Sequence, residues 1–497
     1  MVHLWVVSEQ RHIGVIDIGS NSMRLVVYDD LSRAPFPRFN EKSITALAAG
    51  IDADGRFTDE ACAGALRAME RFASIAEAMR VERIDVIATE AMRRAANGPD
   101  LIASIRELTG LTPQVLSGDD EARLAALGVV AGAHEPRGLV GDLGGGSLEV
   151  AEVAVDRVGE RLASMPLGAL PVTALMAESF GDAKRHVDAT LADQLPPLMT
   201  DPTLYAVGGG WRAIARVHIA TNDWPIRTVH GYVLPAADAR AFAKSIARMS
   251  TDEIAELPDV PSRRIDTLAA SALVMERLIK VLKPEQVVFS ATGLREGWLY
   301  DQLSPDEQRL DPLVEGAQAI GLPIARVPAF SAALDRWTEQ LFPGETPADR
   351  RLRLAACALT DLCWRDHPKL RASDAFRRVL EMPFVGISHP ERAFLGVVLL
   401  ARYGGKIDDE VTAVTDRLMS DHEVRRAEIL GRVLLLAHRV SASVPRILDQ
   451  VRIRIDADSV RLEIDAATVA PDSDAVQSRL RQLAKVVGVD NTEIVDA

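Results

Sequence analysis

The sequence predicts an α/β protein: two similar strand-and-helix halves, then a mainly helical region and a small α+β tail. Three observations carry this. The segment Val15-Ile16-Asp17-Ile18-Gly19-Ser20-Asn21-Ser22 recurs 125 residues later as Val140-Gly141-Asp142-Leu143-Gly144-Gly145-Gly146-Ser147. In each copy an apolar run ends in Asp, turns through Gly to Ser and resumes with strand-like residues. Strand and helix signals then alternate from residue 13 to 303, as in α/β layer architectures. Beyond about residue 304, helical spacing dominates.

In order, residues 13–18 and 24–28 read as buried strands around the Gly19–Ser22 turn, followed by a loop holding Pro35 and Pro37. Thr58 to Arg80 has helical spacing behind Thr58-Asp59-Glu60, a helix start. Residues 84–88 read as a strand, 89–96 as a loop or first helical turn, 101–108 as a helix and 113–116 as a strand. Ser117-Gly118-Asp119-Asp120-Glu121 opens a helix running to Val130. The second copy supplies strands at 138–142 and 148–155, with helical stretches near 170–180 and 185–196. A strand at 204–207 enters Gly208-Gly209-Gly210, and a helix from Trp211 to His218 leaves it. A long helix at 265–281, a strand at 286–290, the loop 292–297 and Leu299 to Leu303 close this half. Residues 312–442 read as mostly helical, 452–464 as a hairpin and 474–487 as a last helix.

At 497 residues, two to four domains are expected. No apolar stretch is long enough to span a bilayer. Met1 to Gln10 has no basic leader, and Cys62, Cys357 and Cys363 are few and scattered, so a cytoplasmic protein with reduced thiols is expected. A net charge of −14 argues against non-specific binding to nucleic acid. It does not exclude a phosphate ligand, because local arginines and a metal can overcome the global field.

Asp17 and Asp142 stand at strand ends before Gly-containing turns. Backbone amides favour an anion and carboxylates a cation, so the pair of loops points to a metal-bound phosphate. Gly144-Gly145-Gly146 allows close backbone approach, and Ser20, Asn21, Ser22 and Ser147 add donors. Gly208 and Gly209 form a third loop at a helix N-terminus, where anions bind. Asp119, Asp120 and Glu121 all fit a first helical turn, and spacing does not choose a general base among them; the helix end is expected to lower their pKa. Arg93 or Arg94 can reach a phosphate, although a solvated helix start explains such a pair more commonly, and Arg295 with Glu296 reads as an ion pair or a ligand contact. The ten histidines form no metal cluster, and no P-loop or nucleophile elbow is present.

Taken together, Val15–Ser22, Ala88–Arg93, Ser117–Leu124, Gly141–Glu149, Ala206–Gly210 and Gly293–Tyr300 resemble the exopolyphosphatase/guanosine pentaphosphate phosphatase family of the actin, Hsp70 and sugar-kinase superfamily. The resemblance implies two ribonuclease-H-like (actin-like ATPase) domains flanking a cleft. It implies a Mg²⁺-dependent hydrolase, with a monovalent cation as a further candidate, that removes terminal phosphate from inorganic polyphosphate or from guanosine pentaphosphate. It makes Glu121 the catalytic glutamate and Arg93 a phosphate contact. Asp17, Ser20, Asn21 and Ser22 map to the first phosphate loop, Gly144 to Ser147 to the second, and Asp142 and Glu149, with Asp17, to metal and water. At the third loop Gly210-Trp211-Arg212 departs from the family's usual Ser or Thr. The C-terminal region is expected to be HD-like, and 359–367 carries no convincing His-Asp pair.

The expected division is 1–130 and 131–303 for the two domains, 304–445 for the helical domain and 446–497 for the tail. Exopolyphosphatase is the leading reading and a homodimer the expected assembly. Guanosine pentaphosphate hydrolysis, an actin-fold kinase and a non-catalytic polyphosphate or nucleotide sensor are the alternatives. Two residues past each turn the copies differ in charge, Arg24 against Glu149. The second jaw is therefore the expected seat of metal and water, and the first a grip for phosphate.

Overall fold

The computed structural model describes residues 11–195, 202–465 and 473–496. They fall into two compact units, Met1–Arg309 and Leu310–Ala497. In the first unit, β1 (Ile13–Ile18), β2 (Ser22–Tyr28), β3 (Pro37–Ile44), β4 (Arg83–Ala88) and β5 (Gln114–Val115) form a sheet in the order β3-β2-β1-β4-β5. A second sheet repeats the plan with β6 (Arg137–Leu143), β7 (Leu148–Ala154), β8 (Arg157–Met165), β9 (Thr203–Val207), β10 (Tyr232–Pro235) and β11 (Gln286–Phe289). Its order is β8-β7-β6-β9-β11-β10, so β6, β7 and β8 correspond to β1, β2 and β3. In both sheets the first three strands are antiparallel, and the central strand pairs in parallel with the fourth.

The central strands are continuous apolar runs because both of their faces are covered. The edge strands β3, β8 and β10 are not evident from the sequence pattern, and Pro37, expected in a loop, begins β3. β3 and β8 mix charged and apolar residues and are half-solvated, and β10 is only four residues long and ends in proline. Their pairing comes from the neighbouring strand rather than from a pattern of their own.

The helix Gly118–Gly132 and the short helix Leu294–Tyr300 cross at the junction of the two sheets. Glycines permit the close approach: a methyl group on Gly128 would run into the Gly293 backbone, and one on Gly297 would lie 2.7 Å from the Gly128 amide nitrogen. Leu124, Leu127 and Val130 of the longer helix share one apolar core with Val15 and Val26 of the first sheet and Val140 and Val153 of the second. The helix that carries Glu121 is thus packed against both repeats.

The second unit is helical from Pro312 to Ser441. It ends in β12 (Val451–Ile455), β13 (Ser459–Ile464), the helix Asp474–Val487 and β14 (Asn491–Asp496), which pairs in parallel with β13. Within it, buried Asp361 accepts from Arg326 Nη2 at 2.6 Å, and buried His438 is 2.8 Å from Thr360 Oγ1 and from Ser443 Oγ. Burial pushes the thiols of Cys357 and Cys363 up to about 12. No helix among the described residues is long and apolar enough to cross a membrane.

Candidate active site

In each half a single rung of side chains crosses three strands. Asp17 on β1 stands opposite Arg24 on β2, which stands opposite Lys42 on β3. At the equivalent level Asp142 on β6 stands opposite Glu149 on β7, which stands opposite Ser164 on β8. Directly opposed residues share a sheet face, with Cβ atoms about 5 Å apart. The rung reads Asp-Arg-Lys in the first half and Asp-Glu-Ser in the second.

Each rung ends in the same turn. The Gly19 amide donates to Ser22 O at 3.1 Å, and the Gly144 amide to Ser147 O at 3.0 Å. The first loop is held by its carbonyls, Ser20 O accepting from Ala48 N at 2.8 Å and Asn21 O from Ala46 N at 3.0 Å. In the second, Gly144, Gly145 and Gly146 give their carbonyls to the amides of Ala169, Leu170 and Gly168 at 3.1, 2.9 and 3.2 Å. The loops meet: a methyl group on Gly145 would come within 3.3 Å of Ser20 Cβ and 3.7 Å of Asn21 Cβ.

Glu121 enters from the side, and the three acids of its helix start separate by role. Ser117 and Asp120 form a reciprocal capping box, and Ser117 holds the exposed Asp120 carboxyl below its usual range. Asp119 is exposed. Glu121 is buried, with its carboxylate accepting from Arg93, whose guanidinium also donates to Leu116 O. The helix end was expected to lower the pKa of Glu121. Burial wins instead and pushes it up to about 7; the Arg93 bond opposes this, while Asp17 and Asp142 add to it.

The other acids respond to burial in the same way. Asp142 is pushed up to about 6 by burial, with Arg212 opposing and Asp17 adding. Glu149 is held well above the carboxylate range by burial and by repulsion from Glu121 and Asp142. Hydrogen bonds from Ser147 and from Ser164, whose Oγ donates at 2.9 Å, relieve part of this. Asp17 is also raised by burial, although Arg295 donates to it at 3.1 Å. Glu296, next to Arg295, accepts from the Tyr28 hydroxyl at 2.8 Å and the Gly293 amide at 2.9 Å. Both residues therefore make structural contacts that tie the two halves together.

The first jaw is cationic by contrast. Lys42 is pushed down to about 8 by burial and by Arg264, Arg263 and Arg24. Arg24 is lowered to about 10 by burial, with Arg295 and Arg212 contributing. At the third loop, Gly208 has φ +104°, which favours glycine, and a methyl group on Gly209 would collide with the Arg264 guanidinium. Trp211 is fully buried and donates to Ser271 O at 2.9 Å, so its indole offers no stacking surface.

The structure thus brings Asp17, Ser20, Asn21, Gly144 to Ser147, Asp142, Glu149, Glu121 and Arg93 into one neighbourhood. Ser22 begins β2 behind the first turn, and Gly208 and Gly209 lie against Arg264. Lys42, Ser164, Arg264 and Glu90 were not singled out from the sequence. Lys42 and Ser164 sit on the two edge strands that the pattern does not show. Arg264 precedes a helix 55 residues beyond the loop it meets, and Glu90 resembles any acid at a helix start.

Among the described residues, no three His, Cys, Asp or Glu side chains form a ready-made metal cage. A Mg²⁺ ion does not require one, because it commonly takes one or two carboxylates and completes its shell with water and substrate phosphate. The opposed pair of partly buried Asp142 and buried Glu149 is a donor set of that kind.

The Ppx/GppA phosphatase family model matches residues 26–305, and the model for the exopolyphosphatase C-terminal region matches residues 313–494. Exopolyphosphatase 1 of Mycobacterium tuberculosis is 32% identical over 308 residues, covering 59% of this chain and 89% of that protein. Retrograde regulation protein 2 of Saccharomyces cerevisiae is 26% identical over 445 residues, covering 80% and 73%. The Aquifex aeolicus PPX-GPPA enzyme superposes with a TM-score of 0.50 at 23% identity, over 58% of this chain and 98% of that one. An exopolyphosphatase from Cytophaga hutchinsonii gives 0.50 at 23%, over 58% and 96%. These superpositions show a shared fold. With a family model spanning more than half of its length, the chain belongs to the Ppx/GppA phosphatase family.

Proposed function

We propose that the protein is a Mg²⁺-dependent exopolyphosphatase that hydrolyses the terminal phosphate of inorganic polyphosphate. The observation that carries this is the pair of unlike rungs, a cationic Asp-Arg-Lys facing an acidic Asp-Glu-Ser, with Glu121 beside them. The terminal phosphate binds between the two Gly loops, with Ser20, Asn21, Ser147 and Arg93 as donors. Inner phosphates of the chain lie toward Arg24, Lys42 and Arg264, with Gly208 and Gly209 behind them. Asp142 and Glu149 hold the cation, with Asp17 facing them from the other jaw. When bound, Mg²⁺ supplies charge neutralisation for the transferring and leaving oxygens.

Glu121 orients the attacking water and accepts its proton. A carboxylate with a pKa near 7 is a stronger base than an exposed glutamate and is still substantially ionised at neutral pH. The remaining work is positioning and electrostatics, as in phosphoryl transfer generally. The division into 1–130, 131–303, 304–445 and 446–497, the homodimer and a cytoplasmic location are parts of the same proposal.

The test is phosphate release from polyphosphate, guanosine pentaphosphate and ATP, with Glu121→Gln beside the wild type. Release from polyphosphate is expected, falling by about 10²–10⁴-fold in the variant without loss of polymer binding. Preferential release from guanosine pentaphosphate would move the substrate to that nucleotide, and a near-normal rate in the variant would remove Glu121 from the role. The yeast relative is named for retrograde regulation; background release on every substrate would favour a regulatory, non-catalytic role of that kind.

A further inference from the structure

Glu90 has no part in the mechanism above, yet it sits where phosphate is expected. It opens the helix Glu90–Arg94 directly after β4. Its Oε2 accepts from Ser20 Oγ at 3.0 Å, and its Oε1 accepts from Arg94 Nη1 at 3.0 Å. A methyl group on Gly146 would collide with the same Oε2 and lie 3.0 Å from Ser20 Oγ. One carboxylate therefore touches a loop of each jaw and takes the Ser20 hydroxyl that a phosphate oxygen would use. The Glu90 side chain is only 18% exposed, whereas that of Arg94 is 52% exposed, so water screens the pair and the arginine neutralises the acid only weakly.

Building on the exopolyphosphatase reading, we infer that Glu90 weakens anion binding at the terminal-phosphate site, so that orthophosphate, held there alone, is released after cleavage. A carboxylate in contact with the loops opposes any anion that enters them. A polymer offsets that repulsion by placing inner phosphates on Arg24, Lys42 and Arg264. Orthophosphate reaches the loops alone and meets the repulsion without the offset. The product is therefore expelled while the shortened chain is retained.

The experiment uses the full chain and inorganic orthophosphate. Its Ki against polymer hydrolysis is measured alongside its Kd by calorimetry in the absence of turnover, for wild type, Glu90→Gln and Glu90→Ala, with folding checked by circular dichroism. Glu90→Gln is expected to tighten orthophosphate by about tenfold, one carboxylate's repulsion, and to lower polymer KM by no more than the same factor, since the inner-phosphate contacts are untouched. Glu90→Ala moves in the same direction. A merely structural Glu90 gives the opposite sign, since loosened loops weaken both ligands, and unchanged or weaker orthophosphate binding in the folded variants overturns the inference. If the wild type turns over polymer and binds orthophosphate but neither variant tightens, this inference alone fails. If the wild type releases no phosphate from polymer, the functional reading fails with it.

Discussion

The two jaws share a strand plan, a turn hydrogen bond and an aspartate, and differ in the next two residues of the rung. In the first, Asp17 is followed by Arg24 and Lys42, and the partly buried charges are mainly cations pushed toward losing protons. In the second, Asp142 is followed by Glu149 and Ser164, and the buried charges are acids pushed toward keeping theirs. On the proposed reading, the repeated backbone thus provides two equivalent positions beside one ligand. Two side chains per copy decide whether a jaw attracts the anion or the cation that accompanies it.

Among the rung residues, the largest effect should come from neutralising the second jaw. Asp142→Asn and Glu149→Gln should each lower kcat on the order of 10²-fold or more, because the charge balance on the transferring oxygens is lost. Titration of Mg²⁺ followed by thermal shift should show weaker binding in the same variants. Arg24→Ala should instead raise polymer KM by about tenfold, the loss expected for one charge-assisted hydrogen bond, with kcat little changed. Equal kcat losses from both jaws would erase the distinction.

Much of this plan is legible in the sequence. The repeat locates both aspartates and both turns, because central strands and Gly turns leave strong local patterns. The Arg24 and Glu149 contrast is legible as well, since each lies at a fixed distance after its turn. Lys42 and Ser164 are not, because they lie on edge strands whose alternation is blurred by solvent-facing charges. The elevated pKa of Glu121 is illegible for a different reason. Its local setting, a helix start, predicts a lowered value, and only the tertiary packing that buries it reverses the sign.

The jaws should also titrate separately. kcat/KM is expected to fall as the pH drops through about 7, where Glu121 takes up a proton and can no longer accept one from water. Polymer KM should rise as the pH climbs through about 8, where Lys42 loses its charge. Lys42→Ala should abolish the alkaline limb and leave the acid limb in place. A single limb shared by both parameters would mean that the jaws act as one electrostatic unit.

The smallest effect concerns stability and follows from the same burial. Glu121 has a folded pKa of about 7 against a model value of 4.5. Between those values the folded state binds more protons than the unfolded one, so stability contributed by this group is present at low pH and lost as the pH rises through about 7. Glu121→Gln cannot titrate and lacks that loss. Its Tm relative to wild type should therefore be higher at pH 8 than at pH 5, by a few degrees at most in a chain of this size. The comparison across pH cancels the constant effect of removing the acceptor from Arg93. A Tm difference that is flat with pH would show that Glu121 is solvated enough to ionise freely. The site would then lose the raised basicity that separates its base from an exposed glutamate.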